Sequence, residues 1–172
     1  MTGPGSAIAL RRATIDDIDA LAAIHAASAQ AAYAHVFPAG TPFPYMDARA
    51  DLLGQLARGG ARAIIATIDD APGGFALAGR PADRAPDKAD VGELHLLHVR
   101  SDLWAHGIGS RLLASAMTAM GADGYRRAIL RVLIENTRAR RFYERHGWIE
   151  DGATAIEQHA VTINIMRYAR RL

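Results

Sequence analysis

The spacing of apolar positions changes character several times along the chain, and each change marks an element. Residues 7–12 (AIALRR) form a short apolar run that predicts a strand. Thr14 ahead of Ile15-Asp16-Asp17 has the form of a helix N-cap with acidic residues in the first turn. Ile18, Leu21, Ala22, His25 and Ala29 then recur at helical spacing, which carries that helix to about Tyr33. Residues 37–44 (FPAGTPFP) hold three prolines and a glycine and read as a loop. Residues 46–58 read as a second helix, stopped by Gly59-Gly60.

Strand-like runs follow at 62–68 (RAIIATI), from Phe75 to Gly79 after turn chemistry at 70–74, and at 91–100 (VGELHLLHVR). The last two are joined by a charged, proline-containing connector at 80–90, expected to be mobile. Residues 107–121 predict a helix with Leu112, Leu113 and Ala116 or Met117 facing inward. A strand at 128–134, a helix at 137–146 stopped by Gly147, and strands at 148–150 and 160–168 complete the chain. The order is β-α-α-β-β-β-α-β-α-β-β, and strands alternating with helices in the second half predict a mixed α/β sheet.

At 172 residues the chain fits one domain, taken as residues 7–172 with residues 1–6 a disordered N-terminus. Half the residues are hydrophobic and 22% are charged, enough to bury a core and to exclude a wholly disordered chain. There is no cysteine, which removes disulfides, thiol nucleophiles and Cys-ligated metal from consideration. No apolar run approaches the ~18 residues of a membrane span, and residues 1–6 lack the basic and apolar regions of a secretory signal, so a cytoplasmic protein without membrane partners is expected. The net charge of +2 is unevenly spread: residues 1–99 carry 8 basic and 11 acidic groups, residues 100–172 carry 12 and 7. A basic second half suits an anionic ligand.

Within that half, residues 96–113 (LLHVRSDLWAHGIGSRLL) read as strand, short loop, Gly-x-Gly and helix. A helix opening with Gly107-Ile108-Gly109-Ser110 presents free backbone N–H groups and a positive dipole end, and the missing side chains let a phosphate approach. Leu112 stands where a dinucleotide-binding turn needs its third glycine, and the Gly-Lys-Ser/Thr of a P-loop is absent. A lone Gly-x-Gly is equally a tight turn with close helix packing.

The segment at 132–148 (VLIENTRARRFYERHGW) adds a second motif. Together the two resemble the GCN5-related N-acetyltransferase (GNAT) family. Residues 104–109 resemble its acyl-CoA motif, Gln/Arg-x-x-Gly-x-Gly/Ala, and Asn136, Ala139, Phe142, Tyr143, Gly147 and Trp148 match its Asn-x-x-Ala-x-x-Phe-Tyr-x-x-x-Gly-Phe signature in register. The opening Thr14-x-x-Asp17-Ile18 is also similar, so the likeness spans nearly the whole chain. It departs at Trp104, where the family carries Gln or Arg beside the pyrophosphate; Arg111, Arg100 and His106 are the candidates to supply that charge.

The resemblance implies a mostly antiparallel mixed sheet flanked by helices, with acetyl-CoA as cosubstrate and no metal. It assigns the pantetheine arm to backbone near Leu97, His98 and Val99, which should splay from the strand before Asn136. The pyrophosphate falls to the turn formed by Trp104, His106, Gly107, Ile108, Gly109, Ser110 and Arg111. Asn136 lies near the pantetheine end. The resemblance also puts the basic helix at 138–145 near the nucleotide side, although Arg138 and Arg141 themselves read as a solvated helix face.

An alkylamine is only about 0.1% neutral at pH 7, a handicap of roughly 4 kcal/mol, so acetyl transfer needs a route for the proton. It also needs oxyanion donors and an acid for the thiolate. Tyr143 is the candidate acid by transfer from the motif; the N–H of His98 or a neighbour is the candidate oxyanion donor. Glu93 is the candidate base, with His95 in reserve through a water. Strand alternation puts Glu93, His95 and Leu97 on one face and Leu94, Leu96 and His98 on the other, unless a bulge intervenes. Tyr33, Phe37 and His95 are candidate acceptor contacts; His25, on the apolar face of the first helix, reads as a core residue. The expected reaction is direct transfer of acetyl from acetyl-CoA to a primary amine, borne by a small molecule or a peptide. The alternative is a non-catalytic acyl-CoA sensor. Nucleic-acid binding by the arginines of 138–145 is disfavoured by the small net charge, and a homodimer is consistent with the family.

Overall fold

The computed structural model describes residues 7–35, 48–57, 61–81, 89–158 and 161–172. The expected disordered N-terminus, the proline-rich loop with Phe37, the Gly59-Gly60 cap and most of the 80–90 connector lie outside the described residues.

Seven strands form one sheet: β1 (Ile8–Arg12), β2 (Ala61–Ile68), β3 (Ala71–Gly79), β4 (Val91–Val99), β5 (Arg127–Leu133), β6 (Ile149–Gln158) and β7 (Val161–Arg171). Among the described residues four α-helices interrupt them: α1 (Ile18–Tyr33), α2 (Ala48–Ala57), α3 (Ile108–Ala122) and α4 (Thr137–Arg145). The element order is the one read from the sequence. Strands lie in the order β1-β2-β3-β4-β5-β7-β6, antiparallel everywhere except between β4 and β5.

Alternation along each strand sends side chains to two cores. On one face Ala76, Leu94, Leu130, Val132 and Tyr168 pack under α3 and α4 with Leu112, Leu113, Met120, Tyr143 and Trp148. On the other, Ala63, Ile65, Phe75 and Leu77 pack under α1 and α2 with Ile18, Leu21, Ile24 and Leu52. The chain enters α1 through a 3-10 turn, Ile15–Asp17, where the Asp17 carboxylate accepts from the Thr14 backbone N–H at 2.7 Å and takes two 2.7 Å bonds from Arg11.

Three features differ from the sequence reading, each for a local reason. Strand β3 begins at Ala71 rather than Phe75, because Asp69 and Asp70 adopt positive φ (48° and 66°) and close a two-residue hairpin. Strands β6 and β7 extend well beyond 148–150 and 160–168. Gly152 at φ 128° sits in a register shift between Glu150 and Ala153, which breaks the alternation a sequence reader follows.

The third difference shapes the site. Leu77 pairs with Leu96 but Ala78 pairs with Leu94, so β4 bulges at His95. Leu94 and Leu96 therefore do not share a face: Leu94, Leu97 and Val99 pack on the α3 side, and Leu96 packs on the α1 side. The parallel ladder between β4 and β5 also stops at Leu94 and Leu130, although β3 accompanies β4 to Val99. Beyond that point the sheet opens.

Candidate active site

The opening is a cavity of about 630 Å³ walled by five parts of the fold. Residues 95–99 of β4 and 131–133 of β5 form its split floor. His25, Ser28 and Tyr33 of α1 close one side, and Asn136, Arg138, Phe142, Tyr143 and His146, on or flanking α4, close the other. Trp104, Gly107 and the first residues of α3 form the mouth.

The backbone of β4 is aimed by its pairing. Arg100 N–H donates to Gly73 O on β3 at 2.9 Å, and a Cβ added to Gly74 on β3 would lie 2.8 Å from His98 O. Alternation then turns the amides and carbonyls of Leu97 and Val99 toward the gap, and those of His98 toward β3. The β4 backbone N–H groups turned toward the cavity are therefore those of Leu97 and Val99 rather than that of His98. One of the gap-facing groups is used internally: Val99 O accepts from the Trp104 indole N–H at 2.8 Å.

At the mouth, Gly107 adopts φ 78° as the N-cap of α3, a conformation that favours glycine, and Arg111 N–H makes a bond back to Gly107 O at 3.1 Å. The N–H groups of Ile108, Gly109 and Ser110 precede that bond, as the first donors of any helix do. Gly109 faces α4: a Cβ there would make ordinary contact with the Phe142 ring at 3.5 Å. Ser110 Oγ lies 3.0 Å from His146 Nε2, and His146 Nδ1 donates to Phe142 O at 2.7 Å, which ties α3 to the end of α4. His106 and Arg111 are exposed and do not line the cavity.

Asn136 caps α4 through Ala139 N–H, 3.1 Å from its Oδ1, and is 8% exposed at the cavity wall. Tyr143 is buried against Phe142 and Trp148 in edge-on contacts. Burial, reinforced by Tyr33, raises its pKa further above the ordinary phenol value, so it stays protonated.

Glu93 is buried and does not line the cavity. It pairs with Arg131 of β5, and its Oε2 is 3.8 Å from His95 Nδ1. His95, on the bulge, does line the cavity; its Nε2 donates to Arg80 O at 2.9 Å. The α1 wall adds a group that sequence reading missed. Ser28 Oγ is 2.6 Å from His98 Nδ1, and the His98 ring lies 4.4 Å from His25 and 5.6 Å from Phe75. The signal was present, since Ser28 follows His25 by three residues on the inward face of α1.

Burial and the neighbouring His25 push the His98 imidazole down to about 3. In an unfolded chain it would titrate near ~6.5. Between those values the unfolded state binds more protons, so stability rises with pH and falls on acidification. Thermal melts from pH 7 to pH 4 should show that loss, and His98→Phe should flatten it; equal slopes for both proteins would refute the assignment.

The sequence alone makes Arg138 a solvated residue of the α4 face. It is exposed, but its guanidinium carbon sits 3.4 Å from the centre of the Trp104 ring, at the cavity mouth.

This geometry has known counterparts. Residues 27–148 match the family model described as acetyltransferase (GNAT) family. The chain belongs to that family, and it is a GNAT N-acetyltransferase. Comparison with curated proteins gives no match. Among solved structures, a GCN5-related N-acetyltransferase from Rhodopseudomonas palustris superposes with a TM-score of 0.77 at 20% identity, covering 100% of both chains. A ribosomal-protein-alanine N-acetyltransferase from Brucella melitensis gives 0.76 at 20% identity, over 95% of this chain and 99% of its own. The PaiA N-acetyltransferase from Thermoplasma acidophilum, solved with coenzyme A, gives 0.69 at 20% identity, over 94% and 98%. Identities this low speak for the fold. Membership implies acetyl-CoA as cosubstrate and an amine acceptor. No group of three or more potential metal ligands occurs among the described residues, and no helix there is long and apolar enough to cross a membrane.

Proposed function

We propose that this GNAT enzyme moves acetyl from acetyl-CoA to a primary amine by direct attack on the thioester. The observation that carries this is the parting of β4 from β5 beside a helix N-terminus, with Tyr143 on the wall between them. The pyrophosphate fits the free N–H groups opening α3. The gap-facing backbone of Leu97 and Val99 suits pantetheine and the oxyanion. Asn136, spent on its cap, acts by fixing α4. The Thermoplasma acidophilum relative was solved with coenzyme A, which supports a coenzyme A cosubstrate here.

The amine attacks the thioester carbon, the tetrahedral oxyanion collapses, and the C–S bond breaks. Tyr143 gives its proton to the departing sulfur. The amine's proton leaves toward His95 rather than directly to Glu93. With Nε2–H held on Arg80 O, the neutral ring keeps its lone pair at Nδ1, and a proton gained there faces the Glu93 carboxylate at 3.8 Å. Tyr33, Ser28 and His98 form the acceptor wall. Nucleophilic attack without a covalent enzyme intermediate agrees with a chain that has no cysteine.

Melting the protein with acetyl-CoA, CoA and NAD tests the first step. At about 100 times its Kd a ligand adds roughly 2.7 kcal/mol, a rise of about 5–10 °C for a chain of this size. Acetyl-CoA and CoA should give it and NAD should not. Thiol release with a panel of amines then separates the enzyme from a sensor: binding without turnover on any amine favours the sensor. No shift at millimolar acetyl-CoA overturns the proposal.

A further inference from the structure

We infer that Arg138, laid on the face of Trp104, is the cation that holds a phosphate of the cofactor; this rests on the acetyl-CoA reading above. The family motif places a long polar side chain at position 104, and this chain has an indole there. An indole cannot neutralise a phosphate, yet it does two other things here. Its N–H is anchored to Val99 O at 2.8 Å, which fixes the plane of the ring at the mouth. Its face then carries the Arg138 guanidinium at 3.4 Å, a geometry that favours a cation electrostatically and leaves the guanidinium edge free to donate in a fixed fork.

The other candidates fit less well. Arg100 is bound to Asp102 at 2.7 Å. Arg111 and His106 do not line the cavity, and His106 Nδ1 donates to Trp104 O at 2.8 Å. Arg145 lines the cavity but stands about two turns further along α4.

The position of Arg138 also argues for an anion. It lies in the first turn of α4, where the helix dipole disfavours a cation. Among the described residues no carboxylate forms an ion pair with it, whereas Arg140 on the same helix has Glu150 at 2.8 Å. A phosphate beside the guanidinium would turn that unfavourable placement into a favourable one, drawing on the α4 and α3 N-termini at once.

Titrating the full-length protein with CoA, 3′-dephospho-CoA and pantetheine tests this. Arg138→Gln should weaken CoA about ten- to a hundredfold, as loss of a charged hydrogen bond does, and leave pantetheine unchanged. The difference should shrink as salt is raised. An equal loss with dephospho-CoA assigns the cation to the pyrophosphate; a loss confined to CoA assigns it to the 3′-phosphate. Adding Trp104→Arg to Arg138→Gln should restore binding by returning the charge to the family's position. Wild type that binds CoA while Arg138→Gln binds it equally well overturns this inference alone, as does an equal loss of CoA and pantetheine. Wild type that binds no CoA overturns the acetyl-CoA reading with it.

Discussion

Tyr143→Phe should lower kcat about a hundredfold or more with the best amine of the panel, while CoA affinity changes by less than about threefold. General-acid catalysis contributes ~10²–10⁴, and a phenyl ring has no proton to give the departing thiolate. The substitution is mild structurally. The ring's edge-on contacts with Phe142 and Trp148 need no hydroxyl, so the helix–strand junction should hold. The pH profile supplies a second check. Burial holds the phenol protonated above its ordinary range, so the wild-type kcat should show no alkaline fall from Tyr143 below about pH 10. A variant with wild-type kcat would reduce Tyr143 to a packing residue.

How far the sequence led can be judged at particular positions. The element order and the Gly107–Ser110 helix opening were legible because glycine placement and apolar period are local properties. The parting of β4 and β5 was foreseen through the family likeness. The bulge at His95 was not placed, because alternation in 91–100 carries no mark of which residue is skipped; that depends on the register β3 imposes. Nor does the sequence mark the partner of Glu93, the candidate base: its carboxylate is engaged by Arg131, a residue 38 positions away. Arg138 shows the same limit. On a nine-residue helix it looks like one arginine among several, and only folding lays it on a tryptophan 34 positions earlier in the chain.

The last strand bears on the site through Tyr168 among other side chains. Tyr168→Ala should destabilise the protein by about 3–5 kcal/mol, the range for emptying a large aromatic from a core. Tyr168 is fully buried beneath α4. Its hydroxyl donates to Glu144 at 2.8 Å and accepts from Arg140 Nε at 3.0 Å, and Arg140 in turn reaches Glu150 of β6. One residue of β7 thus fastens α4 to the sheet through two successive turns of the helix. Since α4 carries Arg138 and Tyr143, and Asn136 caps it, loosening that fastening should also weaken CoA binding at temperatures where the variant is still folded. Tyr168→Phe separates the two contributions. It keeps the ring and removes only the hydroxyl, so chemical denaturation should show a smaller loss of about 1–3 kcal/mol, the penalty for stranding hydrogen-bonding groups. Equal losses for the two variants would place the whole effect in the polar contacts, and no loss in either would show that other contacts hold α4 to the sheet, among them Tyr143 and Trp148 in the core and the Arg170 bond to His146 O.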